Sequence, residues 1–305
     1  MIGTLTTHLL QALFAISYVS SIYLHPNGRL HFKPTSDGRI AASRSRNDPV
    51  VIKTRLIAVT LATLASCTIV FLVIWRDSND PNNNFSNALA KCLFLLGLAP
   101  PFSSPRMILP YLLVPLLYSG PIFTTFLASS LPLQKRWSFK RDVYDAVVSY
   151  EGLRNYLIAP ITEELVFRAS IIAVALLSDT STWRMIFLTP LWFGVAHAHH
   201  GWELYNNKGR TKSAFITFDF TTKINVLLVV QLGYTTIFGW FTSFLFLRTR
   251  SAYAAFAAHM FCNFMGFPTI TQDLKDFPRH KLMIWCTHLG GIIGFGLALY
   301  PWTSV

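Results

Sequence analysis

The sequence predicts an all-α, polytopic membrane protein with about eight transmembrane helices, packed as a conical or irregular bundle around a cytosol-facing cavity. Three observations predict it. Only 13% of the 305 residues are charged, about half of the roughly 25% usual in soluble domains, while 52% are hydrophobic. The apolar residues cluster in uncharged runs such as 56–75, 107–133 and 226–247, each near the ~20 residues that cross a bilayer as a helix. The basic residues behind the net charge of +12 lie mostly between those runs, in HFKPTSDGRIAASRSRNDPVVIKTR and QKRWSFKRD. That is the pattern of loops that set orientation and meet the headgroups of membrane lipid, rather than of a nucleic-acid face.

Taken in order, the expected helices are 7–24, 56–75, 107–132, 155–177, 185–200, 226–247, 251–270 and 282–301. The first, in TLTTHLLQALFAISYVSSIYL, has no Lys or Arg before its apolar core and reads as a retained span rather than a signal peptide. The stretch NALAKCLFLLGLAPPF (86–101) is short, contains Lys91 and ends in Pro-Pro, so it reads as a re-entrant or interfacial helix. With eight spans, the basic loops 25–55, 134–154, 201–225 and 271–281 share one side, the cytosolic one. Arg248 and Arg250, in a tight turn on the other side, run against this scheme. NDPNNNFS at 79–86 is a turn cluster. The four cysteines, Cys67, Cys92, Cys262 and Cys286, fall in or beside apolar runs with no paired spacing, and nothing in them suggests a disulfide framework or a zinc site. The expected organisation is one integral-membrane domain, 1–305, with core helices within 155–270 and a basic cytosolic loop at 25–55.

Polar groups inside the spans carry the chemistry. A charge at the centre of a spanning helix costs about 2.5–3.5 kcal/mol on insertion scales, yet APITEELVFRAS (Ala159–Ser170) holds three ionisable groups. Glu164 and Arg168 are four apart, on one helical face, and can pair. Glu163 is turned about 100° away and needs another reason. His197, in LWFGVAHAHH, and His259 with Asn263, in AHMFCNFMGFP, supply candidate partners. With eight alternating spans, Glu163, His197, His259 and Asn263 all fall in the leaflet next to the basic loops. A lone His or Asn in a membrane helix ordinarily just bonds to a neighbour, and His199 and His200 belong to the interface. The alignment of four such groups is what the bland reading does not explain.

A Glu and a His converging on one point can hold and deprotonate water. A neutral or protonated His259 and the Asn263 amide can donate to a carbonyl oxygen as it becomes an oxyanion. Together they suit a general-base hydrolase of an amide or ester, without a covalent intermediate. A zinc protease is expected to show His-Glu-x-x-His, which is absent, although Glu163, His197 and His259 remain open as a ligand set. A serine hydrolase is expected to show Gly-x-Ser-x-Gly, also absent. Cys262, three residues after His259, leaves the paired glutamates unexplained as a nucleophile. A proton-coupled transporter also uses buried Glu and His, but no internal repeat accompanies them.

At these positions the chain resembles the CAAX prenyl proteases of the Ras-converting-enzyme type. The shared motifs are Glu-Glu-x-x-x-Arg (Glu163, Glu164, Arg168), Phe-x-x-x-His (Phe193 to His197) and His-x-x-x-Asn (His259 to Asn263). APITEE, FGVAHAHH, HMFCNFMGFP and NDPVVIKTR resemble the eukaryotic members, and the similarity is best over about 151–270. The resemblance implies an endoplasmic-reticulum protease that removes the last three residues of farnesylated or geranylgeranylated CAAX proteins such as Ras-like GTPases. It further implies a mechanism with no metal or other cofactor, in which Glu163 and His197 activate water and His259 and Asn263 form the oxyanion hole. Glu164, Arg168 and Phe193 then support the site. The other reading is a non-proteolytic membrane scaffold or transporter of the same superfamily. A lipid-anchored C-terminus presents its scissile bond at the membrane surface, where a shallow site meets it.

Overall fold

The computed structural model describes residues 2–30, 32–34, 40–42, 44–76, 84–100, 105–196 and 223–304. They form two compact units, Met1–Leu96 with Thr162–Phe244, and Gly97–Ile161 with Leu245–Val305.

In the first unit, α1 (Thr4–Leu24) packs along α2 (Pro49–Trp75). Between them is a short antiparallel hairpin, β1 (Phe32–Pro34) with β2 (Ile40–Ala42), in which Lys33 pairs with Ala41. The inward stripe of α1 is Thr7, Gln11, Phe14, Ala15, Tyr18 and Ser21, while Leu5, Leu9, Leu13 and Ile16 face outward. Such a distribution is inverted for water and correct for lipid, where small and polar groups pack between helices and branched apolar chains meet acyl tails. α2 likewise exposes Ile57, Leu61 and Leu64 and buries Thr63 and Ser66, the latter two among branched apolar neighbours such as Val59 and Val70. Both buried hydroxyls are satisfied within the helix, Thr63 by the Val59 carbonyl at 2.7 Å and Ser66 by that of Ala62 at 2.9 Å.

Local chemistry sets the helix ends. The Asp48 carboxylate accepts from the Val50 N–H at 2.8 Å, with Pro49 in the first turn of α2, as an N-terminus favours. Arg29 closes α1 by donating to the Tyr23 and Leu24 carbonyls, groups that a helix end leaves unsatisfied. α3 (Phe85–Leu95) has 11 residues, about 16 Å at 1.5 Å per residue, and its Phe85 packs edge-on against Phe71 and Trp75 of α2.

In the second unit, α4 (Leu109–Leu117) and α5 (Ser119–Leu127) belong to one apolar stretch bent by 64°. Pro115 and Pro121 flank the break; each lacks an N–H and crowds the carbonyl four residues earlier, which kinks a helix. The helix Lys281–Leu299 packs on both arms. A side-chain carbon at Gly291 would stand 2.8 Å from the Leu116 carbonyl oxygen, and one at Gly120 would meet the His288 ring. Arg248, out of place in the loop-charge scheme, stacks 4.2 Å over the Tyr300 ring and donates to Thr303 and to the Tyr300 carbonyl. Its charge closes the end of the last long helix.

The protein is an all-α, multi-pass membrane protein, but the expectation of about eight spanning helices is wrong. Among the described residues, three helices are long and apolar enough to cross, Thr4–Leu24, Pro49–Trp75 and Pro278–Leu299, or four if the bent pair counts as one span. Of the other expected spans, 226–247 lies within one continuous 27-residue helix, Lys223–Thr249, and the rest are bent, interrupted or short. Segment 155–177 alternates α and wider π turns. Segment 185–200 is broken between Thr182–Phe187 and Leu191–Ala196, at Pro190. The helix in 251–270 is Ala252–Met265, only 14 residues, about 21 Å against a hydrocarbon core of about 30 Å. Apolar run length measures greasiness; proline, glycine and π turns decided whether each run became one straight rod. The leaflet alignment drawn from eight alternating spans loses its premise with them.

Candidate active site

The Glu-Glu-x-x-x-Arg motif lies on a helical run, 150–176, in which π turns at Leu153–Ile158 and Leu165–Ser170 flank the α segment Ala159–Glu164. π turns inside helices concentrate at functional sites. The Ser170 hydroxyl donates to the Leu165 carbonyl, five residues back, at 2.9 Å, a bond the wider register supports.

In the first unit, Arg168 Nη1 lies 3.2 Å from Glu164 Oε1, and the two side chains are 1% and 0% exposed. The i, i+4 pairing expected from the spacing is thus present and dry. The guanidinium carbon lies 4.2 Å from the centre of the Phe193 ring and 5.8 Å from that of Phe238. Phe167 meets Phe193 edge-on at 5.1 Å. Aromatic faces stabilise a desolvated cation electrostatically, so Phe193, singled out from its motif, acts on Arg168. Gly239 keeps this corner open: a side-chain carbon there would stand 2.8 Å from Pro190 Cβ and 3.4 Å from Arg168 Nη2.

Glu163 differs from its neighbour. It is half-buried, where Glu164 is sealed. The preceding residue, Thr162, shares a 3.0 Å hydrogen bond with the Tyr18 hydroxyl of α1, and the Tyr18 ring meets Phe167 edge-on. These contacts fix the face of the helix next to the glutamates.

In the second unit, His259 and Asn263 lie four residues apart on Ala252–Met265. His259 is buried and Asn263 exposed. Asn263 Nδ2 donates to the Asn155 carbonyl at 2.8 Å, and beside it Tyr156 and Phe264 meet edge-on at 5.7 Å. The helix ends at Gly266, in the left-handed region at φ 68°, whose N–H bonds the Cys262 carbonyl, an ending that glycine permits without strain. Its carbonyl accepts from the Tyr118 hydroxyl at 3.1 Å.

His197, His199 and His200 lie outside the described residues. Among the described residues, no three His, Cys, Asp or Glu side chains group as metal ligands do. Sequence reasoning missed Tyr18, Phe238 and Asn155. Tyr18 had a legible signal, a polar tip within an apolar run. Phe238 is one Phe among 25, and Asn155 acts through its backbone, which no residue type announces.

Comparison with known proteins agrees with the motifs. The family described as "Type II CAAX prenyl endopeptidase Rce1-like" matches residues 146–265. The chain is 30% identical over 285 residues to the probable CAAX prenyl protease 2 of Schizosaccharomyces pombe, covering 92% of this chain and 88% of the relative. It is 30% identical over 291 residues to CAAX prenyl protease 2 of Homo sapiens, covering 93% and 76%. To the Arabidopsis thaliana CAAX prenyl protease 2 it is 38% identical over 151 residues, covering 50% and 44%. No solved structure matches the chain.

Proposed function

The chain belongs to the Rce1-like type II CAAX prenyl endopeptidases, and from that premise we propose how this membrane protease of CAAX-type prenylated proteins works. Glu163 is the general base, and with His197 it draws a proton from water as the water attacks the scissile carbonyl. His259 and the Asn263 amide donate to the oxygen that takes up negative charge. The proton taken up by Glu163 then passes to the leaving nitrogen as the scissile C–N bond breaks, and the C-terminal tripeptide is released. Substrates are farnesylated or geranylgeranylated proteins, Ras-like GTPases among them, met at the cytosolic face of the endoplasmic reticulum.

One observation favours Glu163 over Glu164 as the base. Glu164 is fully buried and ion-paired with Arg168, while Glu163 is half-buried. A carboxylate held against a guanidinium is a poor base, and water reaches the other more readily. Glu163→Ala and His197→Ala are each expected to lower turnover of a prenylated CAAX peptide by about 10²–10⁴-fold, the range of a lost general base, with the purified protein still folded. Near-wild-type turnover in either variant removes that residue from the mechanism.

A further inference from the structure

We propose that Pro160 is a positioning residue for Asn263: by withholding an N–H within a π turn, it leaves the Asn155 carbonyl to hold the Asn263 amide. The inference rests on the reading of Asn263 as an oxyanion donor.

The register of the helix carries it. In an α-helix the Asn155 carbonyl accepts from the N–H of residue 159. Here the Ala159 N–H goes instead to the Arg154 carbonyl, the i to i+5 step of a π turn. In that register the donor due to Asn155 is residue 160, and residue 160 is proline, which has no N–H. A helix carbonyl that has lost its backbone donor is open to a side-chain donor. Asn263, from the helix Ala252–Met265, fills the gap with its Nδ2 at 2.8 Å.

An Asn amide has two N–H groups. One is taken by Asn155, which fixes the plane of the amide, and the second is left to donate to the oxyanion in a set direction. The contact between Tyr156 and Phe264, one residue further along each segment, holds the same two turns together. Pro160 therefore serves catalysis without touching substrate. A proline inside a helix is far less favourable than alanine, so its replacement is not expected to lower stability.

The test uses the full chain, purified and reconstituted in lipid nanodiscs, with a farnesylated CAAX peptide. Pro160→Ala restores an N–H that competes for the Asn155 carbonyl and frees the Asn263 amide to rotate. The expected result is a fall in kcat of about tenfold, within the ~10²-fold that misplacement of a catalytic group can cost. KM stays within about twofold, because the oxyanion exists only in the transition state, and the melting temperature is unchanged or higher. Pro160→Ser restores the same N–H and should behave alike. Wild-type kcat in both variants overturns the inference, as does a fall in kcat that tracks a fall in melting temperature. Failure of both variants to fold also overturns it, since Pro160 would then serve folding. Asn263→Ala separates the two levels. If it keeps wild-type turnover, the oxyanion reading itself fails. If it is inactive while Pro160→Ala is not, only the positioning role fails.

Discussion

Arg168 is the side chain that a membrane protein has most difficulty accommodating, and its surroundings show how it is kept. It is 1% exposed, ion-paired to a glutamate that is 0% exposed, and faced by Phe193 and Phe238. Removing one partner of a buried pair leaves an uncompensated charge and costs about 3–5 kcal/mol, whereas apolar replacement of both is often neutral or stabilising. Arg168→Ala is therefore expected to lose most of its folded yield, and the double replacement Glu164→Leu with Arg168→Met to recover the melting temperature. If the single variant melts like the wild type, the pair does not support the fold. The i, i+4 spacing made this pair legible in advance. The aromatic faces around it were not, because Phe238 lies 70 residues beyond Arg168 and nothing in its neighbourhood marks it among so many phenylalanines.

At the scale of elements, close approach at glycine shapes the second unit. Gly290 and Gly291 are adjacent on the helix Lys281–Leu299, yet a side-chain carbon at Gly291 would press on the Leu116 and Leu117 carbonyls while one at Gly290 meets nothing within 4 Å. Backbone atoms cannot step aside as a side-chain tip can. Gly291→Val is expected to cost about 1–3 kcal/mol by overpacking. Gly290→Ala should be neutral or gain up to about 1 kcal/mol from helix propensity. Melting curves of the two purified variants check the contrast, and equal effects refute the close approach. Apolar runs located α1, α2 and the last long helix well. They did not reveal the break between α4 and α5 or the π turns, because a hydropathy window weighs a proline by its polarity and not by its missing N–H.

At the scale of the molecule, the outward faces of α1, α2 and the last long helix carry leucine and isoleucine, and Gln11, Thr63, Ser66 and His288 are among the groups turned inward, as in a protein whose solvent is lipid. The candidate catalytic residues come from three separate stretches of chain, and two of those lie in different compact units. Metal-free chemistry is expected of them: a chelator should leave turnover of a prenylated peptide unchanged. Loss of activity with the chelator and recovery with zinc would instead make Glu163, His197 and His259 a ligand set.

Composition and motif spacing by themselves determined the membrane environment, the family, the Glu164–Arg168 pair and the set of polar residues worth testing. All of these follow from residue type and local periodicity, which a linear chain displays directly. Only the tertiary structure decided how many runs are long straight helices, that Phe238 faces Arg168, and that the Asn155 carbonyl holds Asn263. Each depends on which backbone groups lose their helical partners and which distant side chains then meet them, and such pairings exist only once the chain has folded.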